Sequence, residues 1–251
     1  MDIEAIKKEV EREVYRRLLQ QSGDGTIQPT PASEIAAHLE HSLLNPDTDE
    51  ATIRTQCAVA RKYAAAAVCV APYYVPVAKD LLSGSVVKVG TAIGFPHGCM
   101  SQRAKIAEMQ EALNNGAEEI DVALNLLAIK SGRWEEAARE LETLVRMAEG
   151  RATVKAVFEH CKYTEAEKVR TLHLIRSSGA EYLKIQNMLS GHGARVEDVE
   201  YVRRVLGKSV KIKIDGGIKT LAQARSLLAA GAERLGLTAT EKIAKEALGQ
   251  V

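Results

Sequence analysis

The chain of 251 residues is long enough for one large domain, and 34 Lys plus Arg against 33 Asp plus Glu leave it almost without net charge. That balance gives no electrostatic case for nucleic acid or an anionic membrane as the main partner, and 4% aromatic residues offer few stacking surfaces for bases. No stretch approaches the roughly 18 to 20 apolar residues that span a bilayer, and the N-terminus lacks the apolar core of a secretory signal, so a cytoplasmic protein is expected. Cys57, Cys69, Cys99 and Cys161 are irregularly spaced with no Cys-x-x-Cys pair, which fits reduced thiols and neither a metal site nor a cofactor.

Residues 2 to 20 predict a helix, with Ile3, Ile6, Val10, Val14 and Leu18 recurring every three or four positions among charges. A Gly, Pro and Ser linker follows, so 1–20 is read as an appendage, 21–33 as a tether and 34–251 as the main domain. Two roles stay open for the appendage. It caps the bottom of the domain, or it docks on a partner through its apolar stripe.

From Ser33 onward short apolar runs alternate with longer amphipathic stretches, the pattern of βα units on a parallel sheet. Strands are expected at 35–39, 67–70, 87–93, 119–123, 153–158, 182–185, 210–214 and 234–236. Helices are expected at 49–63, 74–82, 101–115, 133–149, 164–178, 196–206, 220–230 and 240–248. Gly116, Gly179 and Gly231, each followed by Ala, read as left-handed helix stops. Eight such units fit a closed (β/α)8 barrel better than an open sheet, and no Gly-x-Gly-x-x-Gly follows the first strand to suggest a dinucleotide.

In a barrel of this kind chemistry gathers at the C-terminal ends of the strands. Polar residues fall there: Glu40 and His41, Asp121 and Asn125, Glu159 and His160, then Lys184 and Lys213. The two lysines stand out, since each sits where a buried apolar strand should end. Two neighbouring ammoniums depress each other's pKa, and a neutral amine is a carbonyl nucleophile, which suggests Schiff-base chemistry. The competing reading is that both lysines snorkel into solvent.

Read together, the segments Glu40-His-Ser-Leu-Leu-Asn-Pro-Asp47, Val68-Cys-Val-Ala-Pro-Tyr-Tyr-Val75, Ile93-Gly-Phe-Pro-His-Gly98, Gly116-Ala-Glu-Glu-Ile-Asp-Val-Ala-Leu-Asn125, Lys155-Ala-Val-Phe-Glu159, Gly179-Ala-Glu-Tyr-Leu-Lys184 and Lys213-Ile-Asp-Gly-Gly-Ile-Lys-Thr220 resemble the deoxyribose-phosphate aldolases. The resemblance implies a TIM barrel and metal-free class I aldol chemistry. Its default substrate is 2-deoxy-D-ribose 5-phosphate, cleaved reversibly to acetaldehyde and glyceraldehyde 3-phosphate. Two alternatives are a Schiff-base enzyme acting on another, unphosphorylated carbonyl compound and an inactive barrel serving in binding or assembly. Carried over by position, Lys184 is the imine lysine, Lys213 the lysine that keeps it neutral, and Asp121 the acid-base group. Lys155 and Glu159, where the family also has Lys and Glu, are surrounding charges, read equally well as a structural ion pair or as catalytic groups.

The departures lie at the substrate end. Glu40 stands where the family usually has Asp, Ile185-Gln-Asn-Met188 where it has a small hydroxyl-rich turn, and Ala71 where it has Asn. Gly216, Gly217, Gly236 and Thr238 match the phosphate turns, but Asp215 puts a carboxylate at their rim. It would repel a phosphate unless it turns away to pair with Lys211 or Lys213. Glu40, Asn125, Asp215, Gly216, Gly217, Gly236 and Thr238 are therefore the expected substrate contacts, with His97, His160 and His192 near the mouth. Residues 1–20 look like the encapsulation peptides of bacterial microcompartment cargo, which makes a shell protein the expected partner, beside a homo-oligomer of the barrel.

Overall fold

The computed structural model describes residues 33–187 and 191–250. The predicted helix at 2–20 and most of its tether lie outside the described residues. Eight parallel strands close into a barrel in sequence order. They are β1 (Leu39–Leu43), β2 (Ala67–Val70), β3 (Lys88–Ile93), β4 (Glu119–Ala123), β5 (Thr153–Phe158), β6 (Tyr182–Gln186), β7 (Lys211–Asp215) and β8 (Arg234–Leu237). The α-helices are α1 (Ser33–Ala36), α2 (Glu50–Tyr63), α3 (Val75–Leu82), α4 (Gln102–Asn114), α5 (Leu126–Lys130), α6 (Trp134–Ala148), α7 (Glu165–Ser177), α8 (Val196–Leu206), α9 (Leu221–Ala229) and α10 (Thr240–Ala247). Among the described residues no helix is long and apolar enough to cross a membrane.

Seven of the eight strands fall within a residue or two of their expected places. The first does not. The run from Ile35 to Leu39 reads as a buried strand, but its two alanines and the four-residue spacing of Ile35 and Leu39 suit a helical turn equally well. The chain makes that turn as α1, and β1 starts at Leu39, opposite Leu235 of β8. Glu40 and His41 thus lie within the first strand rather than beyond its end.

Helix starts follow from their caps. Asp49, Ser101, Thr164 and Thr220 each accept a hydrogen bond from an amide of the first turn, and Thr164 with Glu167 forms a reciprocal pair. Each such cap contributes about 1 kcal/mol. At the other ends, Gly116, Gly179 and Gly231 have φ of 94°, 84° and 110°, the left-handed stops read from the sequence.

The core lies between sheet and helices. One face of the strands, carrying Val68, Val89, Ile120, Leu183, Ile212 and Leu235, packs with helix residues such as Ile53, Met109, Leu141 and Val199. The alternate residues face the barrel axis, and there the composition inverts. TIM barrels usually fill this space with branched apolar side chains; here it holds Glu40, Glu119, Asp121, Lys155, Lys184 and Lys213, all nearly inaccessible to water.

Candidate active site

A period of two along each strand brings the charged residues together. Glu119 and Asp121 alternate with Ile120 and Val122, and Lys211, Lys213 and Asp215 alternate with Ile212 and Ile214. Register then aligns Asp121 with Lys155 across β4 and β5, and Lys184 with Lys213 across β6 and β7. Lys184 and Lys213 are mid-strand residues pointing inward, at 1% and 0% exposure, so they neither end their strands nor snorkel to water.

At the centre, Asp121 Oδ2 lies 2.9 Å from Lys184 Nζ and accepts a 2.8 Å hydrogen bond from Lys213 Nζ. Lys213 also donates to Glu40 Oε2 at 2.5 Å. Glu40 in turn accepts from Lys155 of β5, at 3.1 Å. Since β1 and β5 stand opposite in an eight-stranded barrel, this contact passes through the axis. Lys155 is also bonded to Glu119, whose other oxygen lies 3.4 Å from Arg234 Nη2. Nearer the mouth, Asp215 Oδ2 lies 2.7 Å from Lys184 Nζ. The set therefore balances four cations, Lys155, Lys184, Lys213 and Arg234, against four carboxylates, Glu40, Glu119, Asp121 and Asp215.

Burial and pairing oppose each other here, and pairing prevails. Burial disfavours the Lys184 ammonium, but Asp121 and Asp215 outweigh both burial and the repulsion from Lys213, so its pKa rises above the ordinary lysine value. Burial also works against the Lys213 ammonium; Asp121 and Glu40 more than reverse it. Burial opposes the Asp121 carboxylate too, yet Lys184, Lys213 and Lys155 hold its pKa below the usual range. The same balance lowers Glu40, through Lys155 and Lys213. Lys213 pushes Lys184 toward its neutral form, as expected, while the two carboxylates on Lys184 push the other way and harder.

Asp215 turns into the interior as one of its expected escape routes required, though its partner is Lys184 rather than Lys211 or Lys213. Room for it comes from Gly236, where a Cβ would lie 2.7 Å from the Asp215 Cβ. Gly216 and Gly217 follow with φ of 114° and 68°, a backbone open to glycine. Beyond Gly236, Thr238 is exposed, and α10 starts at Thr240 with Ala239 in the cap position and no side-chain cap. Its first amides remain available to an anion.

Other candidates are placed away from the centre. Asn125 caps α5, its Oδ1 accepting from the Ala128 amide at 3.1 Å, so that oxygen is committed to the helix. His41 points outward to Thr240 Oγ1, 2.8 Å away, and burial lowers its pKa to about 4. Glu159 does not pair with Lys155. It meets His97 Nδ1 at 3.2 Å and accepts from Gln186 Nε2 at 3.1 Å. His160 lies 3.4 Å from Asp198 and 5.8 Å from the His192 ring.

Glu119 and Arg234 were missed as members of this network. The period-two alternation of charge in Glu119-Ile-Asp121, and a charged Arg234 opening an apolar strand, were the available signals. Lys105 on α4 was missed as well: fully buried, it donates to the Ala123 carbonyl at 2.8 Å and pairs with Glu140 of α6, tying down the end of β4 just beyond Asp121. Gly98 lets the loop after β3 press on the same segment, since a Cβ there would lie 2.1 Å from the Leu124 carbonyl oxygen.

Residues 38–243 match the family model described as DeoC/LacD family aldolase. A deoxyribose-phosphate aldolase of Geobacillus sp. (strain WCH70) is 39% identical over 204 residues, 81% of this chain and 92% of the relative. That of Clostridium tetani (strain Massachusetts / E88) is 35% identical over 213 residues, 85% of this chain and 99% of the relative. Among solved structures, one described as QR15, an aldolase, superposes with a TM-score of 0.82 at 29% identity, covering 86% of this chain and 97% of its own. A tetrameric deoxyribose phosphate aldolase from Aeropyrum pernix gives 0.79 at 26% identity, covering 94% and 99%.

Proposed function

The chain belongs to the DeoC/LacD family of aldolases, and from that membership we propose that it reversibly cleaves 2-deoxy-D-ribose 5-phosphate to acetaldehyde and glyceraldehyde 3-phosphate through an imine on Lys184. The observation that carries the reading is the buried Lys184 nitrogen, the only one of the three interior lysines paired with the carboxylate nearest the mouth, Asp215, while sharing Asp121 with Lys213.

In the proposed reaction Lys184 loses a proton and its nitrogen attacks the aldehyde carbon of the open-chain sugar. Loss of water leaves a protonated imine. Removal of the C3 hydroxyl proton then breaks the C2–C3 bond, its electron pair flowing to the imine nitrogen, and glyceraldehyde 3-phosphate departs. Protonation of the remaining enamine and addition of water release acetaldehyde and the free lysine. Asp121 touches the nitrogen and is placed to exchange these protons, while Lys213 holds its carboxylate ionised and in position. At the far end, the Gly216–Gly217 turn and the uncapped amides at the start of α10 offer a cradle for the phosphate.

A second reading keeps the imine and takes an unphosphorylated substrate; the replacement of the family's hydroxyl-rich turn by Ile185-Gln-Asn-Met188 favours it. Steady-state kinetics on both sugars decides. The leading reading expects kcat/KM for 2-deoxyribose 5-phosphate to exceed that for 2-deoxyribose at least tenfold. Equal or reversed values support the second, and a protein that turns over neither sugar nor any small aldehyde is the inactive barrel.

The homo-oligomer, the cytoplasmic location and the encapsulation role of residues 1–20 belong to the same proposal, the last resting on the amphipathic pattern and the linker alone. Deleting residues 1–25 is expected to leave turnover intact and to abolish co-assembly with shell protein. A large fall in melting temperature would instead favour a helix that caps the barrel.

A further inference from the structure

Asp215 is distinguished within the charged interior by how its charge is committed. Glu40 is engaged by Lys155 and Lys213, and Asp121 is divided between Lys184 and Lys213. The Asp215 carboxylate has Lys184 as its only ion-pair partner among the described residues, and its second oxygen is buried without a hydrogen bond. It sits two register positions beyond Lys213 toward the C-terminal end of β7, where a barrel's mouth lies.

Resting on the imine chemistry proposed above, we propose that Asp215 is a catalytic counter-ion: its carboxylate favours positive charge on the Lys184 nitrogen in the resting ammonium and again in the protonated imine, and so sets the pH at which imine formation begins. The charge balance explains why one group acts at both ends. The ammonium gives up a proton, the nitrogen lone pair forms a bond to the carbonyl carbon, and a second proton passes from nitrogen to the carbonyl oxygen to give a neutral carbinolamine. The first proton then carries that hydroxyl away as water, leaving one hydrogen and one positive charge on nitrogen. Overall, ammonium plus aldehyde gives protonated imine plus water. The nitrogen is cationic before and after, and neutral only between.

The groups facing Lys184 from the surrounding strands fix the direction of the effect. Asp121 from β4 and Asp215 from β7 favour the cation, while Lys213 from β7 and Lys155 from β5 oppose it. Glu40 from β1 is bound to those two lysines. Cys69 from β2 contributes a neutral thiol, its pKa pushed up to about 12 by burial. Gly236 of β8 and Gln186 of β6 bring no charge. Without Asp215, Lys184 keeps only Asp121, which it shares with Lys213, and its proton is lost more readily.

The test is the pH dependence of adduct formation at Lys184, trapped with cyanoborohydride and acetaldehyde and followed by peptide mass mapping. In Asp215→Asn the half-maximal trapping rate is expected to move to lower pH by about one unit or more. Asp215→Ser, a second neutral variant, should move with it, whereas Asp215→Glu keeps the charge and should stay near the unmutated profile. Neutral variants whose profiles superimpose on the unmutated one, or move to higher pH, overturn the counter-ion. An unmutated protein that gives no adduct at Lys184 at any pH contradicts the imine itself, so the two failures are distinguishable.

Discussion

Lys184→Ala is expected to abolish imine formation and to lower turnover by on the order of 10⁴-fold or more, the scale on which removal of a covalent nucleophile acts. Neither neighbour can replace it. Lys213 is held by Glu40 and Asp121, and Lys155 by Glu40 and Glu119 deeper in the barrel, so no other interior amine has a carboxylate partner facing the mouth. The truncation also leaves four carboxylates against three cations. Asp215, whose side chain is 16% exposed, can recover some solvent, while Asp121 keeps Lys213. An unchanged far-ultraviolet circular dichroism spectrum would separate the chemical loss from a folding defect. Residual turnover within a hundredfold of the unmutated protein would move the nucleophile elsewhere.

The largest effect on stability is expected at Lys155. Replacing it by Met leaves Glu40 and Glu119 facing each other across the axis with one fewer cation, both nearly inaccessible to water. Removing one partner of a buried pair costs about 3–5 kcal/mol, since the charge left behind has neither water nor its mate. For a domain of this size that corresponds to a fall of roughly 6–20 °C in melting temperature. The pH dependence has a definite sign. Glu40 has a lowered folded-state pKa, so its ion pairs stabilise the unmutated protein above the ordinary glutamate range and are lost as pH falls through that lowered value. In Lys155→Met its carboxyl protonates more easily, and the deficit should narrow as pH falls toward about 4. A deficit under 1 kcal/mol at pH 7, or one that widens in acid, would show that the lysine is not paired as described. Denaturant melts across that range measure it.

These two residues show where sequence reasoning succeeded and where it stopped. The barrel was legible because most strands are short apolar runs and several helices carry their own stop or start, such as Gly179-Ala180 before β6 and Thr164 with Glu167 at α7. Lys184, Lys213 and Asp121 were legible because charge in an apolar run is costly and invites a reason. The sequence could not show which opposing charges would meet them. Asp215 appeared as a hazard to phosphate at the rim, and only register across β6 and β7 reveals that it reaches Lys184. That contact adds a second carboxylate to Lys184 and raises its pKa against the effect of Lys213. Lys155 looked like a partner for Glu159, four residues on, yet its real partners come from β1 and β4. The first strand was misplaced because α1 and β1 share one apolar run. Asn125, expected as a substrate contact, has a second task that the sequence did not show, capping a short helix through its Oδ1.

The central claim, that Lys184 is the covalent nucleophile, is tested most directly by borohydride reduction in the presence of acetaldehyde followed by peptide mass mapping. The expected result is the mass of one ethyl group on the peptide containing Lys184, absent from Lys184→Ala. An ethyl group on Lys213 or Lys155 instead, or no adduct at any interior lysine, would contradict the account.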